Sequence, residues 1–349
     1  MLPPYKAEVF SRSFVFKAFC IIPKPTIYFD YLTIEQTTIE MQRVNIAKGD
    51  YIHITDSLGA VIYQGIAADV QISASGISVS AAPLQSLFDL TVSYNRADLQ
   101  TGALEGFIVD VISNTFITNA DTLQNIPGLI AVATTETTNT KLNIKSNVHE
   151  FYDIITKAFT MYGIVVNVQL FPQSQTISVA VGKNAKPIQT IETKLKNVLE
   201  KEFTIGDGYG QLNKMVLIHK FNESQQITYY LHPSGVVDTV NQNRITPVFL
   251  ATEYVETESF SDDAERRAKE TLTPQKFDNL IEITYSVNDR LINMEALEIG
   301  DAFTIIDKEI YESVLTGYER QQKTIKLLFG NIRVDLTKKL ILERRKRVD

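Results

Sequence analysis

Glu253, Glu256 and Glu258 are the residues best suited by type to do chemistry, because two carboxylates flanking a sugar linkage can act as general acid and base in glycoside hydrolysis. Spacing along a chain does not set the separation that this reaction needs. Tyr254 to Phe260 reads as a polar strand running into a helix, so a solvated face is the better reading. The four histidines, His53, His149, His219 and His232, are scattered, and none stands in a zinc-protease or Cys/His metal spacing. Gly206-Asp207-Gly208-Tyr209-Gly210 invites a phosphate-loop reading, but no Lys-Ser/Thr pair follows. The next element is a strand at Met215, where a phosphate loop needs a helix N-terminus, so the run reads as a connector. No Gly-x-Ser-x-Gly elbow occurs, and Cys20 sits in an apolar, proline-flanked context without a histidine beside it. The expectation is therefore no catalytic, cofactor-binding or metal site, and no cofactor.

Bulk composition narrows the field further. The 349 residues carry 34 Lys+Arg against 41 Asp+Glu, a net charge of −7, which opposes the counterion release that drives nucleic-acid binding. A single cysteine forms no internal bridge, and 44% apolar content is that of a globular chain rather than a disordered one. No apolar run reaches the ~18 residues of a membrane helix. Phe14 to Ile22 looks signal-like, yet Lys17 interrupts it and no small-residue cleavage site follows, so folding in the cytoplasm without export is expected. The basic run Glu343-Arg344-Arg345-Lys346-Arg347 reads as a solvated end, and the sequon Asn222-Glu223-Ser224 carries no meaning without secretion.

The elements that would position any site are mostly strands. Tyr51 to Thr55 and Ala60 to Tyr63 flank a turn at Asp56 to Gly59, and a second hairpin turns at Ser75-Gly76 between Val70 and Val79. Ile281 to Val287 alternates strictly, with Met215 to Ile218 and Ile227 to Leu231 as further strands. In between, Leu104, Phe107, Ile108, Val111, Ile112 and Phe116 recur at helical spacing. A second helix has Asn147 as N-cap, Val148, Phe151, Ile154, Ile155, Ala158, Phe159 and Tyr162 along one side, and Gly163 as its stop. Strands at Ile164 to Leu170 and Thr176 to Val181 follow. A third helix spans Ser261 to Leu272, with a capping serine, a narrow stripe of Ala264, Ala268 and Leu272, and Pro274 beyond. A short amphipathic helix is expected over Glu192 to Lys201.

One pattern occurs twice. Gly49-Asp50 opens a strand, Asp56 follows six positions on, and a second strand ends at Gly65; Gly300-Asp301, Asp307 and Gly317 repeat the arrangement. Each copy runs on into another alternating segment near a glycine, Val70 to Val79 with Gly76 and Thr324 to Phe329 with Gly330. Duplicated β-barrels explain this better than two unrelated hairpins. The expected domains are a first β-barrel over 1–98, an α/β insert over 99–182, a linker helix and the start of a second barrel over 183–234, a helical insert over 235–276, the rest of that barrel over 277–336, and a tail over 337–349.

With the closing run Ile299-Gly300-Asp301, Leu315-Thr316-Gly317-Tyr318 and Leu328-Phe329-Gly330, this order resembles the phage and prophage tail hub proteins, the tail-associated lysin-type or baseplate hubs of siphophages. The resemblance implies a β-rich α+β fold of two tail-tube-like barrels with α/β insert domains. It implies a homotrimer at the virion tail tip, assembled in the bacterial host cytoplasm. Its partners would be the distal tail protein ring, the tape-measure protein and receptor-binding proteins, with DNA met only in passage and no membrane-spanning segment. About a dozen residues follow Thr337, so no appended enzyme is expected. The competing readings are a cell-wall-directed hydrolase, resting on the glutamates above, and a carbohydrate-binding module.

Overall fold

The computed structural model describes residues 5–22, 26–74, 76–93, 102–140, 142, 148–205, 212–241, 248–256, 259–273, 277–287, 289 and 296–333. Ser75, Asn147, Gly206 to Gly210, Glu258, Pro274 and Glu343 to Arg347 lie outside the described residues, as do the side chains of Val148 and His149. Among the described residues no helix is long and apolar enough to cross a membrane.

The chain opens with β1 (Tyr5–Phe10), β2 (Phe16–Ile22), β3 (Ile27–Asp30), β4 (Thr37–Met41), β5 (Tyr51–Thr55), β6 (Val61–Ile72) and β7 (Ile77–Pro83). All but β3 form one antiparallel sheet in the order β2-β1-β5-β6-β7-β4, and its edges β2 and β4 lie against each other, so the sheet curls into a half-barrel. Alternation drives this: in β4 Thr37, Ile39 and Met41 face inward while Thr38 and Glu40 stay wet. Ala7, Val9, Ile52, Ile54, Val79 and Ala81 fill the interior, each large aliphatic side chain contributing about 1.5–3 kcal/mol. Both predicted hairpins form. The first is fixed by the Asp56 carboxylate, which accepts the N–H groups of Leu58 and Ala60 at 2.9 Å each.

The insert contains β8 (Thr91–Ser93), α1 (Leu104–Ile112), β9 (Leu129–Ala133), β10 (Val148–Glu150), α2 (Phe151–Tyr162), β11 (Ile164–Phe171) and β12 (Thr176–Lys183). β9 runs parallel to β12 in the sheet β11-β12-β9, and the predicted apolar residues from Leu104 to Phe116 and from Phe151 to Phe159 are buried in this unit's core. The second helix starts later than its pattern implies. Val148 to Glu150 pair with β8, and the Phe151 N–H bonds the Leu90 carbonyl, so Val148 belongs to a strand and Glu150 occupies the N-cap position. An open edge on β8 outbids one more helical turn. Gly163 ends α2 as expected, at φ 70°.

No helix forms over Glu192 to Lys201. Those residues make β13 (Gln189–Glu192), a turn, and β14 (Val198–Ile205). Of Leu195, Val198 and Leu199, the apolar side expected of that helix, only Val198 packs on a core while both leucines are exposed, so little packing rewards a helix, whereas sheet edges offer backbone partners to both strands. The second insert follows: β15 (Lys214–His219), β16 (Asn222–Leu231), β17 (Val237–Asp238), β18 (Leu250–Val255) and α3 (Phe260–Leu272). β15 and β16, read from the sequence as the opening of the second barrel, pair instead in a separate sheet, β17-β16-β15-β18. Phe260, Ala264, Ala268 and Leu272 pack α3 onto it. Ser259 rather than Ser261 precedes the helix.

The chain then returns to the second half-barrel with β19 (Asn279–Ser286), β20 (Ala302–Ile306), β21 (Ile310–Arg320) and β22 (Thr324–Phe329), in the order β13-β20-β21-β22-β19-β14. The sheet segment β5-β6-β7-β4 is thus repeated as β20-β21-β22-β19, in the same chain order and with the same pairing. The details repeat too. Gly49 and Gly300 take φ 90° and 91°, a left-handed conformation that glycine adopts without strain. Gly49 and Asp50 exchange backbone bonds with Ala67 at 2.7 and 2.9 Å, and Gly300 and Asp301 do so with Leu315 at 2.8 and 2.9 Å. The ladder is irregular between Ala67 and Asp69, and again between Leu315 and Gly317. Ala67 and Leu315 are therefore equivalent. Gly65 and Gly317 are not, and both lie inside their strands rather than ending them.

Candidate functional site

The residues that carry the twofold pattern are braced by charge. The Asp50 carboxylate accepts the Ala47 N–H at 2.7 Å and pairs with Lys17 at 2.5 Å. The Asp301 carboxylate accepts the Glu298 N–H at 2.9 Å, bonds the Asn184 amide at 2.5 Å, and has Lys186 at 3.4 Å. Both aspartates are buried, so each turn depends on its cation and on the amide three residues back. The acid of the Gly-Asp signature is a structural pin.

The two half-barrels meet at a joint built by β3. This strand leaves the first repeat and pairs antiparallel with the far half of β21, Asp30 opposite Gly317 and Ile27 opposite Arg320. Gly317 allows it: a Cβ there would lie 2.4 Å from the Phe29 carbonyl oxygen. Asp30, 2% exposed, receives Arg333 Nε at 2.6 Å and Nη2 at 2.7 Å, while Arg333 also donates to Thr316 Oγ1 and to the Gly330 and Ile332 carbonyls. This is a two-pronged guanidinium–carboxylate pair with every remaining prong satisfied. Phe29 stacks on Tyr318 with centroids 5.6 Å apart, and the Tyr318 hydroxyl donates to the Ile62 carbonyl in the first repeat. Burial pushes the Tyr318 phenol up to about 12, so it stays a donor.

The first insert is tied to the same joint. The Tyr31 hydroxyl accepts the Val166 N–H at 2.8 Å, its carbonyl accepts the Tyr152 hydroxyl at 2.6 Å, and burial raises both phenols. The Gln64 amide bonds both backbone groups of Leu170, at 2.9 and 2.7 Å, and donates to His53 Nδ1 at 3.0 Å. Burial lowers the His53 pKa, with Glu8 acting in the opposite sense. A concavity of about 380 Å³ opens at this junction, and one of about 660 Å³ lies beside it between Phe16, His53 and Phe171.

The sequence candidates for chemistry do not converge on either. Glu253 sits 3.8 Å from Arg267 under α3, and Glu256 pairs with Lys220 on the surface, so each of these carboxylates has its own cation. His219 packs on Phe221 and Phe260, and His232 Nε2 lies 2.9 Å from Asp238, whose carboxyl is held low by the Val240 N–H and by that histidine. Cys20 is buried, its thiol pushed up by burial. Among the described residues no three potential metal ligands cluster. Sequence reasoning missed Asp30, Arg333, Thr316, Tyr31 and Gln64. They carry no local signature, since Asp30 and Arg333 lie 303 positions apart.

No family model matches the sequence, and no curated protein matches it significantly. Solved structures do. A tail protein from Neisseria meningitidis superposes with TM-score 0.57 at 13% identity, over 94% of this chain and 96% of that one. A chain of the phage P2 baseplate gives 0.54 at 12%, over 93% and 98%. A prophage tail protein from Listeria monocytogenes gives 0.52 at 13%, over 97% and 98%. At these identities the likeness is one of fold, and it spans the whole architecture, half-barrels and inserts together. The chain has the β-rich fold of phage baseplate and prophage tail proteins.

Proposed function

We propose that this protein is the structural hub at the distal tip of a phage tail, closing the tail tube as a homotrimer and opening for DNA passage. The observation that carries this reading is the internal duplication: a chain that folds the same half-barrel twice lets three copies present six equivalent units to a sixfold tube. In this role the hub docks on the distal tail protein ring, contacts the tape-measure protein and meets receptor-binding proteins. Assembly takes place in the bacterial cytoplasm. The domains are a first tube-type barrel from β1 to β7, an α/β insert from β8 to β12, and a second barrel that closes with β22 around its own insert. No chemistry is required of the chain, and an acidic wall suits a channel through which DNA slides without sticking.

The test is to tag the chain and image particles by immuno-electron microscopy. Label confined to the distal end of the tail supports the hub. Label along the tail, on the head, or absent from particles overturns it.

A further inference from the structure

The repeat exposes a contact that one barrel makes and the other lacks. Beyond the Gly300-Asp301 turn, the edge of β21 from Gly317 to Arg320 is covered by β3. Counting from the equivalent residues Leu315 and Ala67, the matching edge of β6 is Asp69, Val70, Gln71 and Ile72. Those four residues pair with β7 on one side, and among the described residues no strand covers the other. Asp69, Gln71 and Ile72 are exposed, Ile72 at 63%.

We infer that this edge of β6 is the docking site for the second repeat of a neighbouring copy of the same chain, in a head-to-tail contact that reproduces between chains the joint β3 makes within one. The inference rests on the trimeric hub reading and adds its interface. The source of the incoming contact also follows from the repeat. β3 arises just past β2, the strand that lies against β4. In the second barrel β14 takes that place against β19, and it ends at Ile205, an exposed isoleucine. The neighbour therefore approaches with the region where its β14 ends.

Two repeats per chain offer this arrangement one internal joint and one external joint, and when each turns the next repeat by one sixth of a circle the heterologous contacts close into a ring of three chains rather than a filament. Asp69 stands where β21 has Gly317. Its carboxylate, held by the Gln71 amide at 3.3 Å, disfavours pairing of this edge with a second copy of itself and leaves it open to a different segment.

The experiment uses the full chain. Native mass measurement is made on the wild type and on Gln71→Pro and Ile72→Pro; adjacent strand residues point their N–H groups to opposite sides, so one of the two blocks the outer edge without breaking the ladder to β7. Circular dichroism and melting identify the variant that keeps its fold. In parallel, Ile72→Cys and Ile205→Cys chains are mixed with a short bis-maleimide, the native Cys20 being buried. The expected result is a wild-type trimer, a drop to single-chain mass in the folded proline variant, and cross-links only in the mixture. A trimer that survives the folded proline variant and gives no 72-to-205 cross-link overturns this interface while leaving the trimeric hub standing. Cross-links from Ile72→Cys alone overturn the head-to-tail order. A wild-type chain that stays monomeric both in concentrated solution and on the assembled tail removes the hub reading with it.

Discussion

Replacing Arg333 by methionine removes the clamp that holds β3 against the second barrel. The Asp30 side chain is 1% exposed and loses two short guanidinium bonds, at 2.6 and 2.7 Å, keeping the Leu32 N–H at 3.1 Å and the Thr33 hydroxyl at 3.2 Å. Stranding a buried charge in this way costs about 3–5 kcal/mol. The two surviving bonds and the partial exposure of Arg333 place this case at the lower end. A chain of several units need not unfold in one step, so the informative assay is site-resolved amide exchange rather than one global melt. The Tyr31 N–H, bonded to the Thr316 carbonyl at 2.8 Å, and the β3–β21 ladder amides report the joint directly. At about 1.4 kcal/mol per tenfold, a loss of about 3 kcal/mol accelerates their exchange roughly a hundredfold, while amides of the second insert, such as those of β16 in its separate sheet, stay unchanged. Arg333→Lys should fall in between, because an ammonium cannot reproduce the fork. Unchanged exchange at Tyr31 in Arg333→Met would refute the idea that this pair locks the joint.

Three further outcomes are expected. Gly317→Ala forces a Cβ to within 2.4 Å of the Phe29 carbonyl oxygen, costing about 1–3 kcal/mol of overpacking strain and loosening the same ladder; equal exchange protection in the variant would count against the close approach. Burial favours the protonated form of Glu105, but hydrogen bonds from Thr135 and Thr138 outweigh it and hold the carboxyl below the usual range. Its stabilising contribution is therefore complete above the unfolded-state pKa and lost as pH falls through the folded one, and Glu105→Gln should flatten that acid limb in a melting-versus-pH series. Cys20, buried with a raised thiol pKa, should react with a maleimide at least about tenfold more slowly in the folded chain than in urea.

Much of the scaffold is legible in the residues because it is local. The β-prone run at Tyr51 to Thr55, the period-two run at Ile281 to Val287, turn chemistry at Asp56 and Gly59, and the helical stripe Leu104 to Phe116 each report their own surroundings. Errors arise where a distant edge decides. Val148 to Glu150 and Val198 to Ile205 are recruited as strands by β8 and β19, neither of which their own spacing can reveal. The Gly-Asp signature pointed to the duplication, yet pairing it through Gly65 and Gly317 misaligned the copies, because those glycines relieve two different close approaches, to the Ala82 and Phe29 carbonyls. The joint itself was invisible for the same reason. Asp30, Gln64 and Arg333 are ordinary polar residues until the fold sets them against one another.

The central claim, that one chain supplies two equivalent barrels so that three chains make a ring of six, is tested most directly by electron cryomicroscopy of the intact tail tip, reconstructed without imposed symmetry. The account predicts three copies of this chain whose half-barrels alternate around one axis, coaxial with the tube. A single copy, a sixfold ring of separate chains, or half-barrels lying off the axis would contradict it.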